Sequence, residues 1–220
     1  MKLVAIVLFL AAPAAYADAE AWRGIYGGLG LGGGNAHSTW TTDATFGTLD
    51  EPVDHYARGA AFGGLFGYRR PVAGPLVLGI EGAWYAAHLE DRSESSTGAP
   101  NRERVTKVLH PLSLAATLGF ASSSVLVYVR GGLAYAHIEL QAINHQVGNV
   151  GTWDGHGYGW TAGTGFEVNV RKHWSLGLEY DAAKLRANDM TTVNSGGEVV
   201  HAADFKTRYN LLLLRANYRY

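Results

Sequence analysis

The final fifteen residues of the chain, KTRYNLLLLRANYRY (206–220), alternate in character from Asn210 onward. Asn210, Leu212, Leu214, Ala216, Tyr218 and Tyr220 fall on one side of an extended chain; Tyr209, Leu211, Leu213, Arg215, Asn217 and Arg219 fall on the other. A period of two marks a strand, because successive side chains leave opposite faces. One face is apolar and ends in two tyrosines, while the other carries two arginines and an asparagine. A sandwich strand in water also alternates. A strand with lipid on one side, a polar lumen on the other and aromatic rings at the membrane edge accounts for all three features together.

The same pattern recurs upstream. Strands are expected at Trp22–Ala36, Tyr56–Arg69, Leu76–His88, Val105–Phe120, Val125–Ile138, Trp153–Val168 and Trp174–Leu185. Long polar segments (37–55, 89–104, 139–152 and 186–205) alternate with short turns (70–75, 122–124 and 169–173). An even strand number returns both chain ends to one side, with the short turns there and the long loops opposite. An open sheet edge in lipid would leave backbone groups unpaired, so the sheet must close. A water-soluble eight-stranded barrel such as a lipocalin has a greasy interior. Here the charged residues share the face opposite the leucines, which argues for an all-β, eight-stranded antiparallel transmembrane β-barrel.

Residues 1–17, MKLVAIVLFLAAPAAYA, have a basic start, a short apolar run and an Ala-Tyr-Ala end. They read as a secretory signal peptide, leaving 18–220 as the barrel domain. No stretch reaches the roughly 18 consecutive apolar residues of a membrane helix. The chain has no cysteine, which excludes disulfides and thiol chemistry. Its formal charge of −1 offers no broad basic surface, so nucleic acid is not an expected partner. The 29 glycines suit close backbone approach within sheets.

The segment WRGIYGGLGLGGGN (22–35) is too poorly framed for a phosphate-binding loop, since His37-Ser38-Thr39 and polar residues follow it instead of a helix. Trp22, Gly24, Tyr26 and Gly28 instead match the W-x-G-x-Y-x-G form of an opening barrel strand. With the strand plan and the terminal Tyr218-x-Tyr220, the chain resembles the porin-like small outer-membrane β-barrel family, which is similar to the OmpA transmembrane domain. The resemblance implies residence in the cell outer membrane and a structural role in envelope integrity, with four long loops displayed outside. The implied partners are outer-membrane lipids, lipopolysaccharide and the barrel-assembly machinery, which reads the terminal aromatic residues Tyr218 and Tyr220. The alternatives are a narrow passive channel, or an adhesin or receptor whose loops meet a host surface or an external ligand such as haem or a metal.

The alternation assigns Glu81, Arg130, Glu167, Glu179, Arg215 and Arg219 to the lumen. Glu81, Arg130, Glu179 and Arg215 lie mid-strand and are expected to meet, as a plug of ion pairs or as a charged constriction. His173, Ser175 and Glu179 imitate the His-x-Ser plus Glu spacing of PagL-type lipid A deacylases. His173 is expected in a short turn far from the outer leaflet, and Ser175 faces inward, so no catalytic residue and no enzyme activity is expected. His37, His55, His88, His137, His145, His156 and His201 fall in or beside the long loops. They form no His-x-His or His-x3-His pair, and neither a metal site nor a cofactor is expected from the spacing.

The terminal aromatic yields a first prediction. Tyr220→Asp should cost only about 0–1 kcal/mol at the lipid interface, too little to unfold a barrel. If assembly reads that residue, the inserted fraction in outer-membrane preparations should nevertheless fall sharply; undiminished insertion would remove the signal role.

Overall fold

The computed structural model describes residues 19–40, 53–94, 102–144, 149–187, 191–193, 199–201 and 205–220. The expected signal peptide at 1–17 lies outside them. The chain opens with a short 3-10 helix at Ala19–Trp22. Barrel strands follow: β1 (Gly24–Trp40), β2 (Val53–Ala73), β3 (Leu76–Glu94), β4 (Arg102–Ala121), β5 (Val125–Asn144), β6 (Asn149–Arg171) and β7 (Trp174–Ala187). A small hairpin, β8 (Thr191–Val193) with β9 (Val199–His201), precedes the closing strand β10 (Phe205–Arg219). Each barrel strand pairs antiparallel with its neighbours, and β10 closes the sheet against β1.

The register carries a stagger. Stepping across hydrogen-bonded partners from Tyr26 leads through Gly67, Glu81, Ala115, Gly132, Thr161, Ala183 and Tyr209 to Ala36. The path returns to β1 ten residues beyond its start, the shear that tilts strands in a small closed barrel.

The two faces sort as the alternation dictates. Outward, Leu29 is 71% exposed, Leu133 69% and Leu214 66%, which a monomer in water does not sustain over a continuous belt. Aromatic rings edge this belt. Trp174, Tyr218 and Tyr220 pack edge to face at the turn end, with centroids 5.1 Å apart in each contact. Trp84, Tyr135, Tyr158 and Trp160 stand toward the loop end.

The strands run further than expected from hydrophobicity. β5 and β6 pair from Val125↔Val168 to Asn144↔Asn149, through most of the segment read as a loop. β3 and β4 likewise pair out to Glu94↔Glu103. Lipid enforces apolar alternation only across its own thickness, whereas backbone pairing carries no such requirement and continues beyond it. The same holds at the turn end: Arg70 and Pro71 belong to β2, and only Gly74 and Pro75 make the turn. Gly74 has φ 51°, a conformation natural to glycine. Trp22, expected as the first strand residue, ends the short helix instead and is fully buried. His110 has φ 51° where the β4 register shifts, beside Pro111, which has no N–H to give a ladder.

Among the described residues, the buried charges of the lumen lie between two apolar clusters. Toward the loop end the lumen is filled by a cluster that includes Ala61, Tyr85, Leu185, Tyr209, Leu211 and Leu213. At the turn end Trp22, Val77, Ala121, Leu126 and Tyr128 form a second apolar cluster. The indole N–H of Trp22 donates to the Ser122 carbonyl at 2.7 Å and pins the helix beneath the barrel.

Inward glycines make room for tyrosine rings. Gly67 pairs with Tyr26 and Gly165 with Tyr128, and a Cβ on either glycine would lie 2.6 Å from the ring. Gly165→Ala should therefore lower urea stability of the refolded barrel by about 1–3 kcal/mol. Gly64 faces outward, and a Cβ there meets nothing nearer than 3.7 Å. Gly64→Ala should leave the urea midpoint essentially unmoved, and equal losses in the two variants would contradict the packing argument.

Candidate functional site: a charged layer across the lumen

Three strands bring charge to one height because each carries it the same distance from its turn-side end. Glu81 lies five residues into β3 from Leu76, Arg130 five into β5 from Val125, and Glu179 five into β7 from Trp174. β3 and β7 stand on opposite walls of the barrel. Arg215 of β10 spans the gap. It donates to Glu81 Oε2 at 2.6 Å through Nη2 and to Oε1 at 3.2 Å through Nη1. The same Nη1 contacts Glu179 Oε2 and lies 2.9 Å from the Tyr128 hydroxyl oxygen. Arg130 donates to Glu179 Oε1 at 2.8 Å and to Ser113 Oγ at 2.9 Å, and approaches Glu81 Oε1 at 3.5 Å.

Two phenols complete the carboxylates' shells. Tyr26 donates to Glu81 Oε2 at 2.7 Å, and Tyr128 donates to Glu179 Oε2 at 2.6 Å. Nearer the turn end, Arg69 grips Glu167 through both nitrogens, at 3.0 Å and 2.6 Å. Paired N–H groups matched to a carboxylate are the strong form of this contact. Ser175 adds a 3.0 Å bond to Glu167, and the Arg69 guanidinium lies 4.1 Å from the centre of the Tyr26 ring. Toward the loop end, Thr161 donates to Asp181 at 2.8 Å.

The layer is dry. Glu81, Glu167 and Glu179 are each 0% exposed, and the Arg130 and Arg215 side chains are sealed as fully. A water-filled passage at this height would wet them. Charge removed from water costs several kcal/mol per ion unless paired and hydrogen-bonded, and here the pairing is multiple.

The structure thus gathers Glu81, Arg130, Glu179 and Arg215 in one cluster and joins Glu167 to it through Arg69. Arg219 stands apart from it. It lies half-buried at the turn-end rim, donates to the Lys172 carbonyl at 3.3 Å and sits 5.3 Å from the Trp22 ring centre. As the last residue of β10 it has passed below the apolar cluster that seals the charges. Arg69 was placed in the expected strand Tyr56–Arg69 but not counted as a lumen charge, because it is the last residue before the expected turn at 70–75. The odd-numbered face opposite Phe62, Phe66 and Tyr68 was the available signal.

His173, Ser175 and Glu179 do not assemble. His173 is exposed, and its Nδ1 lies 2.9 Å from the Arg219 carbonyl oxygen. Ser175 is buried and bonded to Glu167, and Glu179 is occupied by Arg130, Arg215 and Tyr128. Among the described residues, no three His, Cys, Asp or Glu side chains converge as a metal cluster. Two histidines do come together: His137 and His156 face each other across β5 and β6. His145 and His201, also noted in the sequence, offer no described side chain.

A transmembrane β-barrel with an exposed apolar belt and a packed interior is the class that this fold defines. The sequence matches the outer membrane protein beta-barrel domain family over residues 3–218, and the chain belongs to that family. It is a protein of the outer membrane. Among solved structures, it is similar to the outer membrane protein OprG of Pseudomonas aeruginosa, with a TM-score of 0.57 and 10% identity over 90% of this chain and 97% of that one. It is also similar to neisserial surface protein A (TM-score 0.46, 14% identity, 89% and 97% covered). Ail, the attachment invasion locus protein of Yersinia pestis, gives a TM-score of 0.44 at 14% identity, with 90% and 99% covered. No curated protein matches the sequence.

Removing Arg215 leaves both Glu81 and Glu179 short of a partner. Arg215→Met should cost about 3–5 kcal/mol, the usual penalty for orphaning a buried charge. Arg130→Ala, which spares the Arg215 bridge, should also destabilise the barrel. Leu178→Ala loses outward contacts and should cost clearly less than either; urea titration followed by tryptophan fluorescence would rank them. A barrel indifferent to Arg215→Met would mean that the layer is not held by ion pairs.

Proposed function

We propose that the protein is a structural barrel of the outer membrane, sealed at mid-height, that contributes to envelope integrity and presents its loop end to the exterior. The turn end then faces the periplasm. Lipids and lipopolysaccharide surround the apolar belt, and the barrel-assembly machinery inserts the chain. The observation that carries this reading is the complete burial of Glu81, Glu179 and the Arg215 side chain between two apolar clusters. A passive channel needs water through that level. A surface enzyme needs reactive groups that reach a substrate, and the His173–Ser175–Glu179 set is divided between the rim and a sealed interior. The proposal is accordingly for a protein that neither conducts nor catalyses.

Conductance of the refolded barrel in a planar bilayer tests the seal. The expected result is no steady open state for the parent and brief openings for Arg215→Met, in which the bridge across the lumen is lost. A stable open level in the parent would replace the structural reading with a channel. For orientation, protease added to intact cells should cut within 39–54, 91–102, 142–151 or 189–203 and spare the turns. Cleavage only after the outer membrane is opened would invert the assignment.

A further inference from the structure

The outward face of β5 and β6 carries a second cluster, unrelated to the lumen. His137 and His156 are direct cross-strand partners. Their ring centroids lie 5.3 Å apart, with the planes tilted by 53°. His156 also stacks on Tyr135 at 5.5 Å, and its Nδ1 is 2.7 Å from the Tyr135 hydroxyl oxygen. Along β5 the outward residues Val125, Val127, Val129 and Leu133 lead up to Tyr135. At a rise of about 3.3 Å per residue and a tilt of about 40°, Val125 to Tyr135 spans about 25 Å, the full height of the apolar band. The histidine pair therefore stands one step beyond the band, where water reaches it, and His156 is exposed.

We propose that His137 and His156 form a site for a borderline transition-metal cation, of the Cu2+ or Zn2+ class, on the outer surface at the loop end. Imidazole nitrogen suits these metals, and a two-nitrogen site with oxygen ligands favours Cu2+ among the common divalent ions. The separation fits. With metal–nitrogen bonds of about 2.0–2.1 Å and a ring centre about 1.2 Å behind each nitrogen, centroids 5.3 Å apart subtend about 110° at a shared ion, the tetrahedral angle. Tyr135 acts as a positioning residue. In the bound form the His156 Nδ1–H donates to the Tyr135 oxygen, which fixes the ring and leaves Nε2 for the metal. Two coordination positions remain for water. A plain aromatic girdle explains rings at this height, but it has no need of two imidazoles as direct cross-strand partners or of a hydroxyl bonded to one of them. The inference does not depend on whether the lumen is closed.

The test is titration of the tag-free, detergent-refolded barrel with Cu2+, read by electron paramagnetic resonance. One Cu2+ per barrel, with hyperfine splitting from two imidazole nitrogens, is the expected result, and Zn2+ should compete for the same site. His137→Phe and His156→Phe keep a ring in the girdle and remove the nitrogens; each should weaken binding by about 100-fold, and Tyr135→Phe by about 10-fold. His173→Phe, at the opposite end, should leave affinity unchanged. Circular dichroism checks that each variant has refolded, and the nitrogen count on the parent stands even where a variant does not fold. Failure of the parent to bind Cu2+, or undiminished binding by the His137→Phe/His156→Phe double variant, would overturn the site.

Discussion

The interior of this barrel depends on one guanidinium. Arg215 reaches Glu81 on one wall and Glu179 on the opposite wall, and it touches the Tyr128 hydroxyl that also serves Glu179. Apolar clusters above and below exclude the water that could otherwise hydrate either carboxylate. Seal and pairing are thus mutually dependent. The seal makes an unpaired charge intolerable, and the pairing makes a sealed, charged lumen tolerable. Small side chains at this height, Ser113 and Ala115 on β4 and Gly132 on β5, leave room for the long side chains to cross the axis.

The same bridge penalises misregister. A one-residue slip of β10 against β1 would turn Arg215 outward into lipid and bring its neighbours Leu214 or Ala216 inward. A two-residue slip would keep the faces but move the guanidinium by about 6.6 Å along the strand, beyond reach of Glu81 and Glu179. Apolar belts alone distinguish the first error but scarcely the second, since Leu212 and Leu214 are interchangeable against lipid. The buried charges discriminate against both.

The number of strands, their faces and the inward placement of Glu81, Arg130, Glu167, Glu179 and Arg215 are legible in the sequence because period two is a local property. What requires long-range pairing is not. His137 and His156 are nineteen positions apart in the chain, and only the β5–β6 register sets them face to face. Arg69 was overlooked because it closes the expected strand, whereas β2 in fact continues to Ala73 and carries Arg69 well inside the barrel. The extent of the strands toward the loop end was underestimated because hydrophobicity reports lipid contact and not hydrogen bonding. The expectation of a polar lumen held for one layer; Leu211 and Leu213 alternate correctly to the inside, yet they pack with Tyr209 and alanines as a core would.

The halves of the barrel repeat a device with one deliberate difference of charge. In the first half Tyr26 of β1 lies across Gly67 of β2 and bonds Glu81 of β3; in the second, Tyr128 of β5 lies across Gly165 of β6 and bonds Glu179 of β7. Two residues beyond each glycine the match breaks, with Arg69 in the first half and Glu167 in the second. Those two residues bond each other across the barrel. Had both been arginine or both glutamate, like charges would meet in a sealed space. The substitution of opposite signs at equivalent positions turns a repeated motif into a cross-barrel clasp. Arg215 to Glu81 adds a second such link between the halves. Glu179 is met within its own half by Arg130 and Tyr128, but Glu167 and Glu81 reach their bidentate arginine partners only across the barrel, once the ring has closed.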